Sequence, residues 1–358
     1  MKLLKSKLFH FSSVTKFRIK SVLYIGIFWT ITDYIDVLLR NPQGLPKHTN
    51  SLAIRESFIF IVSLIMGYLF VFKFRRLLKN APLWLNFLLK SVILLGSALL
   101  ITFIITYVSN VVILGQSYHK AFESIINYVL YKDWLLQKIL YWLIIFFITQ
   151  LFLLINEKYS PGVFMDILMG RYIQPKIEKR IVMFMDLKDS TPIAEKLGHQ
   201  VYFKFIRDFI YQASLAVIEF NGRIYQYVGD EIIASWVFEK NNTRKCMDTV
   251  IECRRNIQKN SEYFRREYGI VPEFRVGIHL GDVTVGEIGV IKKDLAMSGD
   301  TMNTTARIRS AANELNHKFI VSKIFKDNIN LEEWQFESLG RVDLKGKGEG
   351  IELFSLKI

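Results

Sequence analysis

Four long apolar segments in the first half of the chain constrain its fold more than any other feature of the sequence. They cover residues 21–39, 57–72, 91–114 and 139–155, and the third contains no charged residue. A helix needs about 20 apolar residues to cross the hydrocarbon core of a bilayer. No small-residue cleavage site follows the first segment, so a signal peptide is not favoured. The segments predict an all-α membrane domain of four transmembrane helices over residues 21–157.

The basic residues indicate how these helices are oriented. The chain carries a formal charge of +14, yet residues 181–358 hold equal numbers of basic and acidic side chains. The excess lies in the tail (residues 1–20), in the connection between the second and third segments, and in a linker over residues 158–180. Basic loops remain cytoplasmic, so we expect both termini in the cytoplasm and a multi-pass protein in the inner (plasma) membrane. Because the second half is neutral, a nucleic-acid partner is not expected.

Two acidic residues, Asp33 and Asp36, lie near the outer end of the first segment. Ionisable groups at membrane depth are often functional. Near the end of a span, however, such side chains can simply reach the interface. We favour that interpretation.

The second half alternates between strand and helix patterns. A buried strand from Ile181 ends near Asp186, and the order then reads helix, hairpin, helix, hairpin, helix and further strands. The helical regions begin near residues 189, 242 and 299. The hairpins cover residues 221–238 and 273–289. Ser190 or Thr191 is the expected N-cap of the first helix, with Pro192 in its first turn. The order β-α-β-β-α-β predicts a ferredoxin-like α+β domain over residues 181–358.

Two carboxylates mark the edge of this predicted sheet. Asp186 ends the first strand, and Asp230 occupies the tip of the adjacent hairpin. Gly229-Asp230 alone would be a plain turn. Two neighbouring carboxylates without a Lys or Arg partner repel each other unless a cation lies between them. Mg²⁺ commonly binds through one or two carboxylates plus substrate phosphates, so the pair indicates a nucleoside triphosphate site.

Five stretches in this half resemble the catalytic domain of class III nucleotidyl cyclases, the adenylate and guanylate cyclases. They read FMDLKDST, YVGDEIIASW, FRVGIHLGDVTVGEIG, SGDTMNTTARI and DLKGKGEGIELFSL, and they follow the family order across residues 181–356. The membrane half shows no such match. The resemblance implies a cyclase fold and the formation of a 3′,5′-cyclic nucleotide and pyrophosphate.

The resemblance also implies a metal set. Asp186 and Asp230 match the family's two metal aspartates, and Leu187, beside Asp186, belongs to the same set. They would hold two Mg²⁺ or Mn²⁺ ions on the triphosphate and lower the pKa of the ribose 3′-hydroxyl.

Three further residues match the family's substrate contacts. Asn303 and Arg307 lie four apart in NTTAR, and so share a helix face. They match the pair that orients the ribose and stabilises the transition state. Lys345, with Lys347 as a near rival, matches a triphosphate-binding lysine. In the family the aspartates and the Asn/Arg pair come from different subunits, so the resemblance implies a homodimer with sites at its two-fold interface.

The base-recognition positions depart from the family pattern. Adenylate cyclases usually carry Lys and an Asp or Thr there, and guanylate cyclases carry Glu and a small residue. This chain has Gln226 and Ala296. An amide can face either purine. We favour ATP because adenylate cyclases are commoner in the family, with GTP as the alternative.

Two rival functions have less support. Diguanylate cyclases share the sandwich, but their hairpin tip differs from Val-Gly-Asp-Glu-Ile and they lack counterparts of NTTAR and LKGKG. A membrane receptor with an inactive cyclase-like domain would be expected to lack a metal Asp or the Arg, and all are present.

Several polar or reactive residues are expected to be structural. Cys246 and Cys253 fit no zinc or redox motif and are interpreted as reduced core residues. A packed role is expected for His279, and a supporting one for Glu231. Arg309 follows Arg307 by two and is assigned to the surface.

Overall fold

The chain, represented by a computed structural model, forms two compact units. The structure describes residues 13–40, 49–74, 82–112, 115–131, 134–158, 163–291, 293–329, 334–344 and 350–357. One unit comprises residues 15–158 and the other contains the chain from residue 159 onward.

All the regular secondary structure described in the first unit is helical. Its helices are α1 (Ser13–Arg40), α2 (Thr49–Tyr68, continued by a π-helical turn at Leu69–Phe74), α3 (Leu83–Val112), α4 (Tyr118–Tyr131) and α5 (Trp134–Lys158). Each apolar segment from the sequence falls within α1, α2 with its π turn, α3 or α5, apart from the last two residues of the third segment, which lie outside the described residues. The helix α4 was not anticipated.

Two helical stretches in the described part of this unit are long and apolar enough to cross a bilayer. They are Val14–Leu39 and Arg55–Phe74, and the apolar stretches of α3 and α5 are shorter, at Trp84–Leu100 and Ile139–Ile155. Length and composition therefore support two spans, and the other two of the four stay predictions.

The acidic residues of α1 lie inside the helical unit. Asp33 is buried, and its Oδ2 atom is 2.8 Å from Nη2 of Arg55 on α2. Asp36 is buried as well. An ion pair between α1 and α2 therefore holds Asp33 within the helical unit, and its placement near the membrane interface stays a prediction.

The second unit is built on one mixed sheet. Its elements are α6 (Val163–Leu168), β1 (Lys176–Leu187), α7 (Ser190–Leu197), α8 (His199–Glu219), β2 (Arg223–Val228), β3 (Glu231–Val237), α9 (Lys240–Lys259), α10 (Ser261–Tyr268), β4 (Phe274–Ile288), β5 (Asp294–Ser298), α11 (Asp300–Glu314), β6 (Phe319–Ser322), α12 (Lys323–Lys326), β7 (Gln335–Val342) and β8 (Ile351–Lys357). The strand order is β2-β3-β1-β4-β6-β8-β7, with β5 paired to β4. The βαββαβ order is confirmed, and the strands after α11 extend the sheet.

Strand β1 is the centre of the core because both of its faces are covered. Ile181, Met183 and Met185 pack with side chains of α8 and α9 in the largest cluster of buried apolar residues. Val182 and Phe184 belong to a cluster on the other face, together with residues of β3, β4 and β5. The alternation of side chains along a strand explains why the sequence of β1 is continuously apolar.

Some local predictions were wrong. The segment 273–289 is one long strand, β4, and not a hairpin. Its Gly281 continues the ladder opposite Arg180, and the antiparallel return is β5. Strand β1 begins at Lys176, inside the predicted linker. The first helix begins at Ser190 after Asp189, which has a left-handed backbone and makes no side-chain cap.

Two glycines of β4 let helix α11 approach the sheet closely. A Cβ atom on Gly277 would lie 2.5 Å from the backbone nitrogen of Arg309 and 2.8 Å from its Cα atom. A Cβ atom on Gly281 would overlap the hydroxyl of Thr301 at the start of the same helix. Side chains at these positions would push α11 off the sheet, so the glycines determine where its polar residues lie.

Gly277→Ala should therefore destabilise the second unit, since its methyl group meets backbone and not a flexible side chain. We expect a loss of about 1–3 kcal/mol in the free energy of unfolding, the usual cost of overpacking. Thermal unfolding of the purified protein would measure it. Ser310→Ala, an exposed change on α11, is the control and should stay within about 0.5 kcal/mol of the unchanged protein. Equal stability of both variants would contradict the close packing.

Candidate active site

The pairing of β1 with β3 brings three acidic residues together at one end of the sheet. Met185 on β1 lies opposite Ile232 on β3. One residue further along each strand are Asp186 and Glu231, and Asp230 precedes Glu231 in the turn. The register of the two strand pairs places Asp186 beside the turn that carries Asp230, as predicted, and the charge of Asp230 contributes, after burial, to the raised pKa of Asp186.

The turn that carries Asp230 is a tight two-residue loop. Val228 pairs with Glu231, so only Gly229 and Asp230 connect the two strands. Gly229 has a φ of 61°, a left-handed conformation that glycine adopts without a Cβ clash. Gly229 and Asp230 thus form the turn of the hairpin, and this turn also holds a carboxylate beside the end of β1.

A guanidinium lies among these carboxylates. The sequence predicts that the two aspartates have no Lys or Arg partner and that Arg309 lies on the surface. Arg309 Nη1 is 3.3 Å from Asp186 Oδ2, and Arg309 Nη2 is 2.6 Å from Glu231 Oε2. Asp186 therefore does have an arginine partner, and Arg309 is not a surface residue. The spacing in the sequence indicated that Arg309 shares a helix face with Thr301 and Thr305, since the three repeat every fourth residue. In the structure both threonines are buried.

Burial and charge disturb the ionisation of these groups. Burial, together with the negative charge of Asp230, raises the pKa of Asp186 to about 6, although Arg309 acts in the opposite direction. Burial also raises the pKa of Glu231, again against the effect of Arg309. On α8, burial and then the charge of Asp230 raise the pKa of the Tyr202 hydroxyl. Tyr202 therefore lies near the two aspartates, and no motif in the sequence indicated it.

The aspartates suit a hard cation. The Oδ2 atom of Asp230 is buried and accepts no hydrogen bond, and a buried carboxylate oxygen without a partner is costly. A divalent cation with oxygen ligands would satisfy it. Among the described residues, no group of three or more His, Cys, Asp or Glu side chains has the arrangement of a metal site. The remaining ligands would therefore come from backbone, water or substrate.

The Asn/Arg pair lies on helix α11, away from the carboxylates of the same chain. Asn303 is exposed and Arg307 is half-buried. Arg309 follows Arg307 by two residues, which corresponds to a rotation of about 200° around the helix. Since Arg309 faces Asp186, Arg307 and Asn303 face elsewhere.

The other predicted site residues are spread over the sheet. Gln226 is exposed on β2, and Ala296 lies on β5 opposite Gly286 of β4. Strands β3, β1 and β4 lie between them in the sheet order. Leu187 is the buried last residue of β1. Lys345 and Lys347 lie outside the described residues.

Three residues expected to be structural are so. His279 is buried, and its Nδ1 atom lies 2.7 Å from the hydroxyl of Ser322. Cys246 and Cys253 are free and buried in the core, and burial raises the pKa of both thiols.

Comparisons with known proteins point to one family. The family model described as "Adenylate and Guanylate cyclase catalytic domain" matches residues 173–357. The chain is 30% identical over 204 residues to "Adenylate cyclase 2" of Rhizobium meliloti (strain 1021), a match that covers 56% of each protein. It is 24% identical over 202 residues to "Receptor-type guanylate cyclase gcy-10" of Caenorhabditis elegans, which covers 55% of this chain and 19% of that protein. The chain thus spans little more than half the length of the first of these curated relatives.

A likeness to a solved structure concerns the fold alone. A bacterial light-regulated adenylyl cyclase superposes with a TM-score of 0.52 at 19% sequence identity. The superposition covers 59% of this chain and 62% of that one.

The raised pKa of Asp186 predicts a pH-dependent stability for the metal-free protein. Between about pH 4 and 6 the folded carboxyl keeps a proton that the unfolded chain has lost, so the free energy of unfolding falls as pH rises through this window and then stays low. Asp186→Asn removes this effect. In the presence of a chelator, the variant should be about 1–3 kcal/mol more stable than the unchanged protein above pH 6, and the difference should vanish near pH 4.

Chemical denaturation at pH 4 and pH 8 would measure this difference. Asp282→Asn, an exposed carboxylate on β4, is the matched control and should leave the profile unchanged. An Asp186→Asn variant that is no more stable than the unchanged protein at pH 8 would contradict the expectation.

Proposed function

This chain belongs to the adenylate and guanylate cyclase catalytic-domain family, and we propose that it converts ATP to 3′,5′-cyclic AMP and pyrophosphate in intracellular signalling. The observation that carries the proposal is the placement of Asp186 beside Asp230, with a buried carboxylate oxygen of Asp230 that lacks a hydrogen bond. Such a pair suits a triphosphate with its divalent cations.

The metal-binding residues of this proposal are Asp186, Asp230 and Leu187. The side chain of Leu187 is apolar, so only its backbone carbonyl could contribute. Two Mg²⁺ or Mn²⁺ ions, when bound there, would lower the pKa of the ribose 3′-hydroxyl and neutralise charge on the triphosphate. The rigid strand end and the tight turn hold the two carboxylates in place beforehand, which reduces the cost of ordering the site.

The arrangement of α11 supports a site shared between two copies of the chain. Asn303 and Arg307 face away from the carboxylates of their own chain, as argued above from the helix rotation. In a homodimer, Asn303 would orient the ribose over the partner's aspartates. The guanidinium of Arg307 would stabilise the charge that develops as the 3′-oxygen attacks the α-phosphorus in line. Lys345 would bind the triphosphate.

The purine is assigned from weaker support. Gln226 on β2 and Ala296 on β5 occupy the two base-recognition positions that the family resemblance indicates. Gln226 can donate to or accept from either base, and Ala296 offers no side-chain hydrogen bond. GTP is therefore the second candidate substrate, and a relative named as a guanylate cyclase is in keeping with it.

The helical unit is proposed to be a membrane anchor. Two of its helical stretches have the length and composition for crossing a bilayer. The fuller proposal comprises four spans, with both termini in the cytoplasm and the catalytic domain at the inner (plasma) membrane.

The proposal predicts cyclic AMP formation by the full-length protein in lipid with Mn²⁺ and ATP. Asp230→Ala should lower the rate by at least roughly a hundredfold, because it removes a metal ligand. Asp282→Ala, a matched exposed carboxylate, should not change the rate. The same assay with GTP decides the purine. Bound nucleotide without product from either purine would overturn the proposal and favour an inactive receptor domain.

Mixing two inactive variants tests the shared site. Asp230→Ala and Arg307→Ala homodimers should each be inactive, whereas their mixed dimer keeps one intact site. If subunits exchange freely, half of the dimers in an equal mixture are mixed and each keeps one of two sites, so the mixture should recover roughly a quarter of the activity of the unchanged protein. A mixture that stays inactive, although crosslinking shows that mixed dimers have formed, would contradict the shared site.

A further inference from the structure

Arg309 is held in the site at both ends of its side chain. Its backbone packs directly against Gly277 of β4, where no Cβ atom intervenes. Its guanidinium contacts Glu231 at 2.6 Å and Asp186 at 3.3 Å. Glu231 is itself buried at the start of β3. The guanidinium therefore has two contacts in the site, and the shorter of them is with Glu231.

Arg309 competes with any bound cation for the carboxylate of Asp186. Asp186, Asp230 and Glu231 are all acidic, and Arg309 contacts two of them. Arg275, which lies opposite Asp186 on β4, adds a second positive charge nearby. The Oδ2 atom of Asp186 that faces Arg309 is one of the two oxygens that this side chain could offer to a metal. A cation that takes this oxygen has to displace only the longer of the two contacts of Arg309.

We propose that Arg309 and Glu231 form a positioning pair that sets the affinity of the Asp186–Asp230 site for divalent cations. Arg309 holds Asp186 in place in the metal-free protein and is displaced from it when a cation binds. Glu231 keeps its ion pair with the displaced guanidinium, and this ion pair weakens the interaction of Arg309 with Asp186. This inference rests on the proposed function, because it takes Asp186 and Asp230 as the metal-binding residues.

The two members of the pair should act in opposite directions. Arg309→Gln removes a positive charge and a competitor from Asp186, so a cation should bind more tightly. Glu231→Gln frees Arg309 to engage Asp186 fully, so a cation should bind more weakly. The double variant removes one charge of each sign and should return close to the unchanged affinity. A purely structural role would instead weaken binding in every variant.

The experiment is a calorimetric titration of the nucleotide-free, full-length protein in detergent with Mn²⁺ alone. Asp186→Ala serves as the reference that identifies the site. We expect Arg309→Gln to lower the Kd for Mn²⁺ by roughly three- to thirtyfold, and Glu231→Gln to raise it by a similar factor. Arg309→Lys keeps the positive charge and should remain within about threefold of the unchanged protein. Thermal melting would establish that each variant is folded.

Each outcome decides the inference. Opposite shifts in the two single variants, with recovery in the double variant, would support it. Shifts in the same direction, unchanged Kd values, or binding that does not depend on Asp186 would overturn it. If Arg309→Gln does not fold, the comparison of Glu231→Gln with the double variant decides, because the added Arg309 change should tighten binding.

The result is separable from the proposed function. Opposite Kd shifts without cyclic nucleotide formation would leave the inference standing and remove the proposed activity. Normal product formation with unchanged Kd values would leave the proposed activity standing and overturn the inference about Arg309 and Glu231.

Discussion

The site depends on the antiparallel pairing of β1 with β3 and β4. β1 is buried on both faces, so its register is determined by two sets of apolar contacts at once. A shift of one residue would turn Met183 and Met185 away from the helices and carry Asp186 to the opposite face. The pairing therefore stabilises the core and also holds Asp186 beside the hairpin tip that carries Asp230.

The close approach of α11 to β4 supplies the other half of the arrangement. Gly277 and Gly281 bring the helix against the sheet, and this proximity places Arg309 among the acidic residues. The same helix presents Asn303 and Arg307 on a different side. A single element thus contributes a cation to the carboxylates of its own chain and, in the proposed dimer, contributes substrate contacts to those of a partner.

The electrostatics of the metal-free site are balanced between burial and ion pairing. Burial raises the pKa values of Asp186 and Glu231, whereas Arg309 opposes both changes. Three carboxylates near the two guanidiniums of Arg309 and Arg275 leave an excess of negative charge at the edge of the sheet. That excess suits a site whose proposed ligands are divalent cations and the phosphates that accompany them.

The sequence by itself determined the family, the βαββαβ order and the positions of Asp186 and Asp230, because these follow from local periodicity and from motifs in a set order. It also indicated correctly that Cys246, Cys253 and His279 are packed. It did not determine that β4 is one strand, since Gly281-Asp282 has the composition of a turn and only pairing with β1 keeps it extended. Tertiary structure alone decided the contact of Arg309 with Asp186. This contact joins residues 123 positions apart in the chain, and it requires a helix to lie against a glycine of the sheet.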